Sequence, residues 1–144
     1  MIERNEYLSK LISVKENGFP KIITGVRRCG KSYLLKEIYR NYLLNNGVLD
    51  SQIIIIELDD IRNVKYRNPY ELDKYIREKC SKNIMNYIFI DEIQLVTPII
   101  NPLYTNGKYV LANKNDKDVI TFVEVVLGLS REKNIDIYAT GSNS

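Results

Sequence analysis

The chain has 144 residues, 44% of them hydrophobic, which is the size of one domain and enough to bury a substantial core. Its net charge is +3, from 21 basic and 18 acidic residues, so nucleic-acid binding is permitted but not indicated. The sequence has no histidine, and Cys29 and Cys80 make no disulfide framework or metal cluster, which excludes histidine catalysis and the common zinc sites. Residues 1–6 hold no apolar signal core and no apolar run approaches the ~18 residues of a membrane span, so we expect a cytoplasmic protein.

The first predicted elements are a helix and a short strand. Apolar residues at helical spacing between Tyr7 and Ile12 predict a leading helix that ends before Gly18. The apolar run Lys21–Thr24, which follows Pro20, predicts a buried strand. We expect the helix to pack on the sheet to which this strand belongs.

Residues 25–32 read Gly-Val-Arg-Arg-Cys-Gly-Lys-Ser and match the phosphate-loop pattern G-x-x-x-x-G-K-[ST]. Glycines let successive backbone N–H groups bend around phosphate oxygens, Lys31 reaches the β- and γ-phosphates, and Ser32 offers its hydroxyl to Mg²⁺. A strand before the loop and a helix after it complete the context, because the helix N-terminus favours an anion. The predicted nucleotide-binding residues are Gly25, Val26, Arg27, Arg28, Cys29, Gly30, Lys31, Ser32 and Tyr33.

Several residues around the loop have two interpretations. Arg27 and Arg28 either contact phosphate or lie solvated on the crest of the loop, and both remain open. Cys29 is favoured as a small residue that fills the loop over a reactive thiol. Tyr7 is favoured as a core aromatic over a contact with an adenine base.

A helix from Tyr33 to Asn45 is predicted by its apolar stripe, with Gly47 placed to cap it. The β-branched run Gln52–Glu57 then predicts a strand buried on both faces, as in parallel sheets. Asp59 and Asp60 follow this strand. We favour a solvated strand end over a contact with metal or substrate for these two acids.

A second chemical motif follows the next helix, which Asn68-Pro69 is predicted to start. The apolar strand Tyr87–Ile90 ends at Asp91 and Glu92. Parallel strands place their carboxyl ends on one side of a sheet, so these acids can face the phosphates. Asp91 would hold Mg²⁺ through water, and Glu92 would accept a proton from the water that attacks the γ-phosphate, or orient it.

Residues 95–118 are predicted to form a surface insertion with a hairpin around Asn106-Gly107. Helical order resumes at Thr121, where Thr121 and Glu124 fit a capping box and Ile120 with Val125 fits a hydrophobic staple. This helix is expected to reach about Lys133, although its β-branched residues leave a strand open. The last predicted strand is Ile135–Thr140.

Alternating strands and helices predict an α/β fold with a parallel sheet and right-handed crossovers. The chain resembles the AAA superfamily, in the additional-strand class of P-loop ATPases, and most resembles the prokaryotic ATP-binding family whose ATPase domain precedes a C-terminal domain of unknown function. The resemblance rests on residues 23–32 as Walker A, 88–94 as Walker B and 138–144 as the sensor-1 strand end.

The resemblance implies a three-layer αβα domain in which the last strand lies between the Walker A and Walker B strands. It also implies that Asn143, or less surely Ser142, contacts the γ-phosphate or positions the water. Such domains continue into a fifth strand, a helical lid and an arginine finger, so residues 1–144 are expected to be the N-terminal core of a longer protein. This core is expected to hydrolyse ATP slowly and to have an open sheet edge at Lys21–Thr24.

The sequence therefore predicts a domain that binds ATP and Mg²⁺ and hydrolyses ATP, with Glu92, Lys31 and Asn143 as catalytic residues. The alternative is a nucleotide-gated switch or scaffold with negligible turnover that engages a protein or nucleic-acid partner. A small-molecule P-loop kinase is disfavoured by the layout of the two Walker strands. A protein partner or self-association is expected, while DNA should bind only non-specifically and in a salt-sensitive way.

Overall fold

The computed structural model describes residues 2–24 and 30–142 of the chain. A sheet of four parallel strands forms its centre, in the spatial order β1-β6-β3-β2, and a separate two-stranded sheet pairs β4 with β5. The strands are β1 (Lys21–Ile23), β2 (Ile53–Glu57), β3 (Asn86–Asp91), β4 (Ile99–Ile100), β5 (Val119–Ile120) and β6 (Ile135–Thr140). The parallel sheet, with the last strand inserted between the first and third, is confirmed.

In the part of the chain that the structure describes, four helical runs accompany the strands. They are α1 (Ile2–Val14), α2 in three consecutive segments (Lys31–Tyr33, Leu34–Tyr39 and Arg40–Asn45), α3 (Pro69–Lys79) and α4 (Phe122–Ser130). Short 3₁₀ turns lie at Asp50–Gln52, Ile61–Arg67, Ile93–Leu95 and Pro102–Tyr104. Among the residues described, no helix has both the length and the apolar character needed to cross a membrane.

The helices cover both faces of the sheet, which confirms the three-layer αβα architecture. Alternation along β3 divides the core, because successive side chains of a strand point to opposite faces. Ile88 and Ile90 pack in one apolar cluster with α3 and α4, whereas Tyr87 and Phe89 pack in the other with α1 and α2. Every residue of β3 and β6 is buried, as expected for central parallel strands.

The middle segment of α2, Leu34–Tyr39, is a π-helix, where the sequence predicted an ordinary helix. Such segments are rare and occur often at functional sites. The buried side chains of this segment are Leu34, Leu35 and Tyr39. It also carries Lys36.

The predicted helix starts at Asn68 and Thr121 are confirmed by their hydrogen bonds. The Asn68 side chain accepts hydrogen bonds from the backbone N–H groups of the first turn of α3. Thr121 Oγ1 accepts from the N–H of Val123 at 3.2 Å, and the Thr121 N–H donates to Glu124 Oε1 at 2.6 Å. This capping box selects a helix over the alternative strand, and α4 ends at Ser130, three residues before the predicted end.

For the hairpin predicted within residues 95–118, the structure has the turn but not the two flanking strands. Asn106 and Gly107 both have positive φ, 54° and 82°, as an Asn-Gly turn requires. However, Asn101 caps a 3₁₀ turn by accepting a hydrogen bond from the Leu103 N–H at 3.0 Å, so Pro102–Tyr104 is not extended. The two-stranded sheet instead pairs β4 with β5 across the whole segment.

Candidate functional site

The predicted site residues that the structure describes lie at the carboxyl edge of the parallel sheet. Asp91 ends β3, Thr140 ends β6, and Glu57 ends β2 as the register partner of Asp91. Gly25, Val26, Arg27, Arg28, Cys29 and Asn143 lie outside the described residues. The phosphate cradle and the sensor residue therefore stay predictions.

Gly30 marks the point at which the predicted loop meets helix α2. Its φ is 74°, in the left-handed region that favours glycine, and its carbonyl accepts a hydrogen bond from the Leu34 N–H at 2.9 Å. Lys31 and Ser32 thus begin the helix directly after a left-handed residue. Tyr33, in the same turn, is 49% exposed.

Asp91 is the residue on which the described contacts converge. Ser32 Oγ donates to Asp91 Oδ2 at 2.9 Å, and Thr140 Oγ1 donates to Asp91 Oδ1. Lys36 Nζ lies 3.1 Å from Oδ2. Asp91 is buried, at 7% exposed. A hydroxyl from α2, a hydroxyl from β6 and an ammonium group fix the orientation of its carboxylate.

Ser32 and Asp91 are suited to Mg²⁺ by the chemistry of their donor atoms. Mg²⁺ takes oxygen ligands, keeps several waters and uses only one or two carboxylates beside substrate phosphates. The hydroxyl and carboxylate oxygens are 2.9 Å apart, close enough to serve one cation. Across residues 2–24 and 30–142, no group of three or more histidine, cysteine, aspartate or glutamate residues could hold a metal ion.

Lys36 and Glu57 complete this cluster, and sequence reasoning missed both. Lys36 Nζ forms an ion pair with Glu57 as well as with Asp91. Burial acts to lower the pKa of Lys36, but the hydrogen bonds and charges of Glu57 and Asp91 outweigh it and raise the pKa above its ordinary value. Two signals were available in the sequence: Lys36 lies one helical turn after Ser32, and Glu57 ends a predicted strand.

Glu92 directly follows β3 and has an unusual backbone. Its φ of 62° lies in the left-handed region, which costs a non-glycine residue about 1–3 kcal/mol. Its N–H donates to Thr140 Oγ1 at 3.3 Å, and its Oε1 accepts from Gln94 Nε2 at 2.5 Å. These two contacts join Glu92 to the end of β6 and to the turn that follows β3.

The end of β6 contacts both the first strand and the turn after Glu92. The Gly141 N–H donates to the carbonyl of Ile23 at 3.1 Å, and the Ser142 N–H donates to Gln94 Oε1 at 3.2 Å. Ser142 Oγ is buried, and within the described part of the chain it has no hydrogen-bond partner.

Asp60 is a capping residue. Its side chain accepts from the Arg62 N–H at 2.9 Å, and the hydrogen bonds of Arg62 lower the pKa of Asp60 to about 2. These contacts agree with the favoured interpretation of a solvated strand end.

Tyr7 differs from the favoured prediction of a core aromatic, because it is 48% exposed. It borders a cleft of about 370 Å³ between α1, β1 and the start of α2. The other lining residues are Lys10, Leu11, Ser13, Val14, Lys21, Ile22, Ile23, Thr24 and Leu34. Leu11, one helical turn after Tyr7, is buried instead.

Comparison with known proteins assigns the chain to a family. The family model described as AAA domain matches residues 17–144. The chain belongs to the AAA domain family. This AAA domain is also 38% identical over 97 residues to an uncharacterized protein of Haemophilus influenzae (strain ATCC 51907 / DSM 11121 / KW20 / Rd). The match covers 67% of this chain but only 24% of that protein, so this AAA domain spans a minor part of the relative's length.

Two solved structures share the fold of this AAA domain. C. elegans PCH-2 superposes with a TM-score of 0.54 at 16% identity, covering 96% of this chain and 36% of that one. The structure of Drosophila ORC bound to AT-rich DNA and Cdc6 gives a TM-score of 0.52 at 15% identity, covering 99% of this chain and 47% of that one. Likeness at these identities shows the fold alone. Together with the family match it confirms an AAA-superfamily P-loop domain of the nucleotide-binding ATPase type.

Proposed function

We propose that this domain binds ATP with Mg²⁺ and hydrolyses the γ-phosphate bond. The observation that carries the proposal is the Ser32–Asp91 contact of 2.9 Å, which joins the start of the phosphate-loop helix to the end of β3, directly before Glu92. Two segments 59 positions apart in sequence thus supply a hydroxyl and a carboxylate at one point. The family match supports nucleotide binding by this arrangement.

Each residue has a defined role in the proposal. The backbone of Gly25, Val26, Arg27, Arg28, Cys29 and Gly30 cradles phosphate, and Lys31 neutralises charge on the β- and γ-phosphates. Ser32 and Asp91 would hold Mg²⁺, which would neutralise charge on the phosphates. Glu92 accepts a proton from, or orients, the attacking water, and Asn143 contacts the γ-phosphate.

Lys36 and Thr140 support Asp91 rather than touching nucleotide. Both donate to its carboxylate, so the oxygen that faces Ser32 keeps a fixed position. A fixed ligand oxygen reduces the reorganisation needed when metal and phosphate arrive. We expect substitutions at these two positions to weaken the dependence of ATP binding on Mg²⁺.

The base of the nucleotide is proposed to lie in the cleft beside Tyr7. Thr24 and Leu34, which flank the predicted loop region, both line that cleft. The exposed Tyr7 ring offers a flat apolar surface at its rim. A base held there would be adjacent to phosphates held by the loop.

The experiment that tests hydrolysis compares wild type with Glu92→Gln. The amide keeps the shape of the side chain but cannot take a proton, so ATP affinity should stay within about threefold while single-turnover hydrolysis falls by about 10²-fold or more. Glu132→Gln, an exposed acid paired with Arg77 at 2.9 Å, is the matched control and should hydrolyse ATP as wild type does. Equal turnover in Glu92→Gln and wild type removes Glu92 from the mechanism. Tight ATP binding with no turnover in any variant supports the nucleotide-gated switch instead.

A further inference from the structure

We propose that Gln94 is a positioning residue that ties the carboxylate of Glu92 to the end of β6. The inference rests on the proposed hydrolysis and deepens it, because it names a residue that sets the orientation of the base. Gln94 would act through Glu92 and would not itself contact nucleotide.

The two ends of the Gln94 amide make different hydrogen bonds. Nε2 donates to Glu92 Oε1 at 2.5 Å, and Oε1 accepts from the backbone N–H of Ser142 at 3.2 Å. A carboxamide has both a donor and an acceptor, so one neutral side chain can bridge a carboxylate and a backbone amide. Glutamate and methionine of similar length cannot make both bonds.

The turn that carries Gln94 is also packed closely against β6. A Cβ added to Gly141 would lie 2.9 Å from Ile93 Cγ1 and 3.5 Å from Gln94 Oε1, so no larger residue fits there without displacing the turn. The Glu92 N–H reaches Thr140 Oγ1 at 3.3 Å. Backbone, packing and side-chain contacts therefore all join Glu92–Gln94 to residues 140–142.

This connection has a consequence for the proposed base. Gln94 occupies one carboxylate oxygen of Glu92, which leaves the other oxygen to accept the proton of the attacking water. Ser142, whose N–H bonds to Gln94, directly precedes Asn143, the residue proposed to contact the γ-phosphate. Gln94 thus joins the proposed base to the residue that directly precedes Asn143 in sequence.

The exposure of Gln94 separates this role from a structural one. The side chain lies on the surface, and the hydrogen bonds of an exposed group contribute little to folding. Replacing Gln94 should therefore leave the melting temperature and ATP affinity nearly unchanged. The effect should appear in kcat.

The test uses Gln94→Met and Gln94→Glu, with Mg²⁺ and ATP as the ligands. Methionine keeps the length and loses both bonds, whereas glutamate keeps the acceptor for Ser142 and places a like charge against Glu92. We expect both variants to bind ATP within about threefold of wild type and to hydrolyse it at least about tenfold more slowly in single-turnover assays. The matched control is Gln52→Met, because Gln52 bonds the Leu49 N–H and the Met85 carbonyl, both at 2.9 Å, before the start of β2. It should lower the melting temperature and leave kcat per folded molecule unchanged.

The outcomes separate the two proposals. A wild-type kcat in Gln94→Glu would show that catalysis does not use the bond to Glu92, and it would overturn the inference. Losses of ATP affinity and melting temperature that parallel the loss of kcat would overturn it too, because they would indicate a structural role. In the Glu92→Gln background, Gln94→Met should cause no further loss, and a further tenfold loss would show that Gln94 acts elsewhere. If Glu92→Gln itself hydrolyses ATP like wild type, the proposed function fails first and the role of Gln94 fails with it.

Discussion

At the scale of single residues, the site depends on how Asp91 is held. The carboxylate accepts hydrogen bonds from Ser32 and Thr140 and forms an ion pair with Lys36. Removing a partner of a buried carboxylate lowers the stability of the fold, because the free energy spent on removing the charge from water is no longer offset by that contact. The metal-ligand role proposed for Asp91 is therefore coupled to the stability of the fold.

Replacing Lys36 tests this coupling. Lys36→Met removes the cation shared by Asp91 and Glu57 and should lower the free energy of unfolding by about 1.5–3 kcal/mol at pH 7. The folded-state pKa of Lys36 is raised above its ordinary 10.5, so its contribution is fully present below that pH and is lost as the pH rises through the folded value. Urea unfolding of both proteins from pH 7 to 11 measures the difference. A difference between them that grows with pH would contradict this account.

The sequence predicted residues that belong to contiguous motifs, but not residues whose contacts depend on how a helix packs against a strand. The positions of Ser32, Asp91 and Glu92 at a helix start and a strand end could be predicted, because a loop pattern and an apolar run place them without knowledge of neighbours; their roles stay predictions. Lys36 and Glu57 could not, since their contact depends on which helix face meets β2. Tyr7 was assigned to the core by its helical spacing, which fixes a face of the helix but not how far that face extends under the sheet.

At the scale of elements, a buried polar network joins β1, β6 and α2 below the candidate site. Lys21 Nζ pairs with Asp136, and both are buried, at 9% and 2% exposed. Tyr138 donates to Asp136 Oδ2 at 2.5 Å, and its hydroxyl lies 2.6 Å from that of Tyr39. Burial raises the pKa of both tyrosines, so they stay protonated. The network fixes the first strand, which leads into the predicted phosphate loop.

Lys21→Met should destabilise the protein strongly, because it leaves the buried Asp136 carboxylate without its cation. We expect a loss of about 3–5 kcal/mol in the free energy of unfolding, measured by urea denaturation. The exposed pair Arg40–Asp50, at 2.5 Å with 32% and 75% exposure, is the control. Arg40→Met should cost at most about 1 kcal/mol, and equal losses in the two variants would show that burial of the first pair has no special weight.

Local signals predicted elements well where each signal acts within its own turn. The caps at Asn68 and Thr121 and the left-handed pair Asn106-Gly107 all formed, because a cap or a turn needs only adjacent residues. The hairpin strands did not form, because Asn101 and Pro102 favour a local 3₁₀ turn over pairing. The π-helical segment of α2 left no sequence signal that we recognise.

At the scale of the whole molecule, the sheet has an uncovered edge at β1. One side of β1 pairs with β6, and in the described part of the chain no strand pairs with its other side. Ile22 in this strand is 43% exposed. An apolar edge with unpaired backbone groups favours pairing with another chain, so we predict concentration-dependent self-association through β1.

Ile22→Lys should weaken that self-association, because a charged side chain at a sheet edge opposes strand pairing. Sedimentation velocity across a concentration series measures the effect, and the melting temperature serves as the check on folding. Leu103, 77% exposed in the 95–118 segment, provides the control variant Leu103→Lys. If Leu103→Lys weakens self-association and Ile22→Lys does not, the interface lies on the 95–118 segment and not on β1.

The central claim is that the loop before α2 is a nucleotide phosphate site, and ATP affinity of Lys31→Ala tests it most directly. Lys31 is the proposed cation for the β- and γ-phosphates, so its removal should abolish measurable ATP binding in calorimetric titrations with Mg²⁺ while the melting temperature changes little. Lys114→Ala, an exposed lysine in the 95–118 segment, should bind ATP as wild type does. A folded Lys31→Ala protein with unchanged ATP affinity would contradict the account.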